Sequence, residues 1–278
     1  MVKKCFGIRE YKTTKNWDTL NQQQKDALPI IVDQYYTFLN SNNSLVGYSE
    51  DIISQRTTLL NNYYNFIHEN SFDNVFTSQG KFRPTILEEF MYILFKDLIE
   101  EVKIKIREID HLLKVGSSKA YTNLFFSASN FHEFIRAPQF GINDKDQDFA
   151  IYRPINITIG ESNAIETNLP IIAIENKTYI DKTMLEGSIA TAEKIKSGNP
   201  YSQFFIVTEN YDVDLKVDPF YSKIDQIYVL RKSKRNKNAP MNPIYADVLI
   251  DLVNNVEKHL NRTWSDVSAK LTNTGKIL

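Results

Sequence analysis

The feature that most constrains this chain is a short apolar run, Leu169 to Ile174, which ends in the charged sequence Glu175-Asn176-Lys177. Apolar runs of this length that are bounded by proline and polar residues are typical of buried strands. Side chains alternate between the faces of a strand, so Glu175 and Lys177 share one face, roughly 6.6 Å apart. The fold must therefore bring a carboxylate and an ammonium out of the core side by side.

A second carboxylate, Asp148, directly precedes another apolar stretch that begins at Phe149. Buried charges are costly unless they are paired, and a cation for the carboxylates and a phosphate for the lysine would pair them. Mg²⁺ takes one or two carboxylates and keeps several waters, so we expect Asp148, Glu175 and the carbonyl of Asn176 as its ligands. Lys177 would hold the attacking water or a phosphoryl oxygen, a role often worth on the order of 10²–10³ in rate. The pattern predicts a magnesium-dependent, phosphodiester-cleaving site.

Simpler explanations exist for the same residues. Charges at a strand end are often only solvated, and Glu-x-Lys occurs by chance in most chains. The repeated aspartates at 144, 146 and 148 resemble the start of a calcium loop, but Phe149 stands where glycine is needed and Ile155 where glutamate is needed. Phosphate-binding loops, dinucleotide fingerprints and hydrolase elbows are absent from the sequence, and its four histidines are scattered. The carboxylate interpretation has no competing motif.

Length and composition set the broad class. A chain of 278 residues can form one large domain or two small ones with a substantial core. A single cysteine, Cys5, excludes a disulfide framework. The sequence has no apolar stretch approaching 18 residues and no signal-peptide core near its start. We therefore expect a soluble, cytoplasmic protein that does not contact membranes.

The formal net charge of −1 does not indicate nucleic-acid binding by itself. The distribution of charge is more informative, because five cations follow one apolar strand within seven residues: Arg231, Lys232, Lys234, Arg235 and Lys237. Such a loop is either a solvated surface or a DNA-binding segment whose cations contact phosphates. Both interpretations stay open.

The first part of the chain is predicted to be helical. Residues 28–39 and 52–67 carry apolar side chains at helical spacing. A turn-rich stretch follows near residue 80. We divide the chain into a helical N-terminal region, 1–80, with possible DNA recognition, and a catalytic domain, 81–278.

The second part is predicted to be an α/β domain. A long helix starts near Thr85, which has Glu88 at capping-box spacing, and ends near Gly116. Glu89 lies off its apolar stripe; it could reach the metal site, although a surface position is expected. The remaining predictions are an irregular segment at 119–137, strands at 148–159 (interrupted at Pro154), 169–177, 203–208 and 226–230, and helices at 182–198 (capped by Thr183 and Glu186) and 244–260. This order indicates a sheet with helices on both faces.

These residues resemble the PD-(D/E)xK nucleases. The likeness rests on Asp148, on Glu175 and Lys177 after an apolar strand, and on the preceding long helix. The amino-acid sequences of segments 82–90, 145–151 and 174–187 resemble those of the heterodimeric (type IIT) type II restriction endonucleases, which cut asymmetric sites. Gln147 stands where the motif has proline, at a position that varies in the family.

The resemblance implies a mixed central sheet flanked by helices and a Mg²⁺ cofactor. It implies metal binding by Asp148 and Glu175, a catalytic Lys177, and Glu89 as a further acidic residue, with Glu88 beside it. Each subunit of such enzymes cuts one strand of duplex DNA and leaves a 5′-phosphate. The implied partners are DNA and a second, different subunit of similar fold, with possible self-association of one subunit alone.

Two alternatives remain at this stage. A structure-specific nuclease with the same motif would act as a homodimer. A DNA-binding or assembly subunit with a vestigial site would not cleave at all.

Overall fold

The protein is represented by a computed structural model that describes residues 20–75, 82–160, 162–235, 241–262, 264 and 266–277. The helices are α1 (Gln22–Asn43), α2 (Glu50–Glu69), α3 (Phe72–Val75), α4 (Phe82–Ile106), α5 (Phe131–Arg136), α6 (Lys182–Gly198), α7 (Ala246–Asn261) and α8 (Val267–Thr274). The strands are β1 (Lys114–Ser127), β2 (Gln139–Ile157), β3 (Ile165–Ile180), β4 (Gln203–Tyr211) and β5 (Gln226–Val229). Short 3₁₀ turns cover Arg107–Leu112 and Pro219–Tyr221.

The five strands form one mixed sheet in the order β1-β2-β3-β4-β5. β2 runs antiparallel to both β1 and β3, whereas the pairs β3–β4 and β4–β5 are parallel. The parallel step from β3 to β4 is made through α6, the usual crossover connection. This mixed sheet flanked by helices, with a helical N-terminal region, confirms the predicted fold class.

Helices cover both faces of the sheet. On one face α1, α2, α4 and α7 share a single apolar core with the strands, represented by Ile31, Tyr63, Phe90, Phe149 and Leu252. On the other face α6 packs over a smaller cluster that includes Ala173, Ala192 and Phe204. The N-terminal helices therefore pack into the same core as the catalytic sheet, and the predicted division at residue 80 falls within 76–81, outside the described residues.

The long helix differs from its prediction at both ends. It is already helical at Phe82, so Thr85 lies inside it and does not cap it. Its α-helical part ends at Ile106, and the predicted end, Gly116, lies in β1. Gly116 has φ +137, which favours glycine, and the β1–β2 register shifts just after it. The glycine therefore serves a β-bulge and not a helix end.

The segment predicted as irregular, 119–137, is mostly strand. β1 runs to Ser127 and pairs with β2, which begins at Gln139, nine residues before the predicted strand. Pro154 does not interrupt β2 and lies opposite Asn168. The alternating pattern was not recognisable because every residue from 123 to 146 is at least partly exposed. Neither face of this hairpin needs to be consistently apolar.

Helices α6 and α7 lie within two residues of their predicted bounds at each end. Helix α6 occupies the predicted residues, but Asp181 caps it by accepting a hydrogen bond from the Met184 backbone N–H at 2.8 Å, so Thr183 and Glu186 do not act as its capping pair. Among the described residues, every helix is too short or too polar to cross a bilayer.

Candidate active site

The site forms where β2 and β3 separate. Their pairing reaches Phe149 opposite Ile174, and continuing that register by one residue places Asp148 opposite Glu175. Residues opposite each other in an antiparallel pair have Cβ atoms about 4.5–5.5 Å apart. Side-chain alternation puts Glu175 on the same face as Ala173, the face that carries α6. Asp148 and Glu175 are therefore the first residues beyond the paired part of β2 and β3, at the fork between the two strands.

Asp148 holds this fork together through the backbone of β3. Its Oδ2 accepts a hydrogen bond from the Asn176 backbone N–H at 2.8 Å. A side-chain carboxylate thus replaces the backbone carbonyl that would accept this bond if the two strands stayed paired. The N–H and C=O of one strand residue point to the same side. The carbonyl of Asn176 therefore faces the same edge as Asp148, as its predicted role as an oxygen ligand requires.

Glu175 has two polar neighbours. The Nζ of Lys177 lies 3.5 Å from its Oε2, and the Ser188 hydroxyl of α6 donates a hydrogen bond to the same oxygen at 2.7 Å. The Glu175 side chain is 14 % exposed and that of Lys177 31 %. The carboxylate is thus fixed from the helix side, while the lysine reaches solvent.

Ser188 was not identified from the sequence. A signal was present, because Leu185, Ser188 and Ala192 fall at helical spacing on the sheet-facing side of α6, where Ser188 is the polar member. A buried serine in such a stripe requires a hydrogen-bond partner, and Glu175 lies on the face of β3 that α6 covers.

A cleft of about 680 Å³ opens at the fork. Its walls come from β1, β2, β3, α4 and α6, and the lining includes Glu88, Ser118, Lys119, Gln147, Asp148, Asn176, Lys177 and Tyr179. Three of the predicted site residues, Asp148, Asn176 and Lys177, therefore line one cleft, and the Glu175 carboxylate lies 3.5 Å from the Lys177 ammonium.

The donor set suits a magnesium ion. It offers two carboxylates and a backbone carbonyl, which leaves further coordination positions for water and phosphate oxygens, the arrangement Mg²⁺ prefers. The described residues contain no group of three or more His, Cys, Asp or Glu side chains that could hold a metal. Both amide atoms of Asn176 and the Oε1 of Gln147 are buried without a hydrogen-bond partner among the described residues. Unsatisfied buried polar atoms beside a cleft are expected where a ligand completes the site.

The two acidic residues of α4 are placed differently from the expectation. Glu88, expected only as a helix cap, lines the cleft. Glu89, for which a surface position was expected, is 5 % exposed. Glu88 is therefore the α4 carboxylate that faces the cleft.

The basic segment divides into a buried and an exposed part. Arg231 is buried at 3 % exposure, with its Nε donating to Glu209 at 2.8 Å, a further hydrogen bond to the Asn242 carbonyl, and its guanidinium over the Tyr64 ring. Arg231 is thus a structural residue, which corrects its prediction as a DNA contact. Arginine suits this buried ion pair because its planar guanidinium offers several donors in a fixed geometry, of which Nε bonds to Glu209 and one terminal nitrogen to the Asn242 carbonyl.

The next cations are exposed. Lys232 pairs with Asp247, and this contact lowers the pKa of the Asp247 carboxyl below its usual range. The Arg235 guanidinium stacks 4.0 Å from the ring centre of Tyr179, which lines the cleft. Lys234 is also exposed, and Lys237 lies outside the described residues. Arg235 therefore brings a positive charge to the rim of the cleft.

The fold defines the class of protein: an α/β chain with a mixed five-stranded sheet flanked by helices, the architecture that the resemblance to the PD-(D/E)xK nucleases implies. Residues 79–242, more than half of the chain, match the Bpu10I restriction endonuclease family. The chain belongs to this family, and it is a restriction endonuclease subunit.

One solved structure shows the same fold. A chain described as "native BbvCI A2B2 tetramer at low resolution" superimposes with a TM-score of 0.67, at 18 % identity, over 93 % of this chain and 96 % of that chain. At this identity the likeness concerns the fold. No curated protein matches the sequence.

Proposed function

We propose that this chain is a Mg²⁺-dependent subunit of a type II restriction endonuclease that hydrolyses one strand of duplex DNA at an asymmetric sequence and leaves a 5′-phosphate. The observation that carries the proposal is the fork itself, where Asp148 accepts a hydrogen bond from the Asn176 N–H and Lys177 lies 3.5 Å from Glu175. Membership of a restriction endonuclease family supports it.

Some residues of the proposed site would bind the metal ion, and others would position the reacting groups or the metal ligands. Asp148, Glu175 and the Asn176 carbonyl would hold the Mg²⁺, which when bound acidifies a water and neutralises charge on the phosphate. Lys177 places its ammonium against the scissile phosphate or the attacking water, where a preorganised charge stabilises the transition state. Ser188 fixes the orientation of Glu175 by its hydrogen bond.

DNA contact beyond the cleft is assigned to the exposed cations Lys232, Lys234 and Arg235, which would contact phosphates and not bases. The N-terminal helical region is a further candidate for DNA contact. A cytoplasmic location suits this function.

One cleft of this kind cuts one strand, so cleavage of both strands needs a second site. We assign that site to a second, different subunit of similar fold. The similar BbvCI structure is a tetramer with two kinds of subunit, by its printed description, which supports such an assembly here.

The test is digestion of supercoiled plasmid by this chain together with its companion subunit. Lys177→Ala should bind DNA normally but leave nicked circles, because the cut made by this chain is lost. Lys182→Ala is the matched control, since Lys182 is an exposed lysine of α6 that does not line the cleft. Full linearisation by Lys177→Ala would refute the proposal. Ligation of the product ends with and without phosphatase treatment tests for the 5′-phosphate.

A further inference from the structure

Gln147 presents a side-chain carbonyl in the wall of the cleft. The residue lines the cleft at 3 % exposure, and its Nε2 donates to the backbone carbonyl of Asp146 at 2.8 Å. Its Oε1 is buried and has no hydrogen-bond partner in the part of the chain that the structure describes. A buried acceptor without a donor costs free energy, so this carbonyl indicates a bound group that donates to it.

A second oxygen of the same kind lies across the strand pair. Ser118 of β1 is the register partner of Gln147 and also lines the cleft, and its Oγ is buried without a hydrogen-bond partner among the described residues. Residues opposite each other in an antiparallel pair lie close together on one face of the sheet. Two neighbouring oxygens that both need a donor suit a single water, because a water has two protons to donate.

Both oxygens belong to the face of the sheet that carries the proposed metal site. Ser118 is two residues from Ala120, which packs in the cluster beneath α6, so Ser118 and its partner Gln147 face α6. Glu175 and Lys177 share that face, as the alternation along β3 requires. The two oxygens and the proposed metal ligand Glu175 therefore lie on one side of the sheet.

A β-bulge turns Gln147 to this face. Two residues of β2, Asp148 and Phe149, oppose the single β1 residue Ser117. The extra residue shifts the alternation of β2 by one position, so Gln147 faces α6 directly beside Asp148. Bulges next to active sites commonly re-aim a side chain in this way.

The chemistry of the cleft selects the donor. Phosphate oxygens of DNA accept hydrogen bonds and donate none, so the DNA backbone cannot satisfy a side-chain carbonyl. The Lys177 ammonium lies 3.5 Å from Glu175, and we have assigned it to the phosphate or the attacking water. Mg²⁺ keeps several of its waters when it binds to a protein, and each of these waters has protons to donate. A water of the cation is therefore the donor that the proposed function supplies.

We propose that Gln147 is a positioning residue of the metal site, whose Oε1 accepts a hydrogen bond from a water bound to the divalent cation. The second proton of that water goes to the Oγ of Ser118. The hydrogen bond from Gln147 Nε2 to Asp146 fixes which atom of the amide faces the water. This inference rests on the proposed function, because it concerns the cation of the same site.

Asn176 is assigned differently, although both of its amide atoms are buried without a partner among the residues described. Alternation along β3 places its side chain on the face opposite Glu175. Its backbone carbonyl, and not its amide, is therefore assigned to the metal.

Calorimetric titration with Mn²⁺ tests the role of Gln147 without any need for cleavage. Gln147→Met keeps the length of the side chain but removes the acceptor, so the Kd for Mn²⁺ should rise by about 10- to 100-fold. Gln147→Glu loses the Nε2 bond to Asp146 but keeps an acceptor, so it should bind Mn²⁺ at least as tightly as the wild type does. Equal losses of affinity in the two variants would assign the effect to the Nε2 bond and overturn the proposal.

Gln203→Met is the matched control for this titration. Gln203 also has a buried Oε1 without a partner among the described residues, but it does not line the cleft. Its replacement should leave the Kd for Mn²⁺ unchanged. A loss of affinity in Gln203→Met equal to that in Gln147→Met would overturn the proposal, because the effect would then be independent of the cleft.

Urea unfolding gives a second readout, which separates metal binding from a merely structural role. Without a cation, Gln147→Met should unfold at about the same urea concentration as the wild type, because it loses one hydrogen bond but also removes an unsatisfied buried oxygen. At one fixed Mn²⁺ concentration, the rise in the unfolding midpoint should be smaller for Gln147→Met than for the wild type. A midpoint lowered equally with and without Mn²⁺ would overturn the proposal.

The two experiments also distinguish this inference from the proposed function. A wild type that binds no Mn²⁺ would overturn both. A wild type that binds Mn²⁺ with the same affinity as Gln147→Met would overturn the role of Gln147 alone.

Discussion

Asp148 of β2 accepts a hydrogen bond from the Asn176 N–H of β3, and Ser188 of α6 donates one to the neighbouring Glu175. The serine hydroxyl and the Lys177 ammonium both approach the same Oε2 of Glu175. Groups that orient a metal-binding carboxylate are expected to matter nearly as much as the carboxylate itself. The proposed active site is therefore a four-residue arrangement.

Ser188→Ala should lower Mn²⁺ affinity and cleavage rate by about 10- to 100-fold, because Glu175 would lose its fixed orientation. Ser188→Thr keeps the hydroxyl and should recover most of the loss. Metal titration and single-turnover cleavage measure the two effects separately. Unchanged metal affinity in Ser188→Ala would show that the hydrogen bond is only structural.

The elements show how far the sequence could be interpreted. The core of β3, predicted as 169–177 and observed over Ile165–Ile180, and helix α6 were both found, because buried apolar runs and clear helical periodicity carry strong local signals. The β1–β2 hairpin was not predicted, because its exposed phenylalanines do not alternate regularly with polar residues and the segment therefore resembled an irregular one. Arg231 was predicted as a DNA contact because it stands in a run of cations that includes Lys232 and Lys234. Its buried ion pair with Glu209 joins residues that are far apart in the sequence, so only the fold reveals it.

The basic segment supplies a test at the level of one element. Arg235→Ala should weaken duplex binding and reduce the slope of log affinity against log salt by about 1, because one phosphate contact is lost. Arg231→Ala should instead destabilise the fold by about 3 kcal/mol, since it removes one partner of the buried Arg231–Glu209 ion pair. Fluorescence anisotropy at several salt concentrations and urea unfolding measure the two effects. Equal stability losses in both variants would contradict this division.

At the scale of the whole molecule, one core joins the N-terminal helices, the sheet and α7. His259 is buried near the end of α7 and stacks on Trp264 with ring centres 5.0 Å apart. Burial, aided by the charge of Arg262, lowers the pKa of His259 to about 4. The protein must therefore keep this imidazole neutral while folded.

This pKa predicts a dependence of stability on pH. Between about 6.5 and 4 the unfolded chain binds a proton at His259 that the folded chain does not, so the free energy of unfolding should fall as pH falls through that window. The loss attributable to His259 should be on the order of 2 kcal/mol. Urea midpoints of wild type and His259→Gln across this range measure it. A variant with the same pH slope as the wild type would rule out His259 as the source.

The central claim is that the carboxylates at the β2–β3 fork hold one divalent cation, and calorimetric titration with Mn²⁺ tests it without any need for cleavage. Asp148→Asn retains an oxygen for the Asn176 N–H and changes mainly the charge, whereas Asp144→Asn is a matched control on the exposed part of β2. We predict one binding site in the wild type, the same affinity in Asp144→Asn, and at least ~10-fold weaker binding in Asp148→Asn. Wild-type affinity in Asp148→Asn would contradict the account.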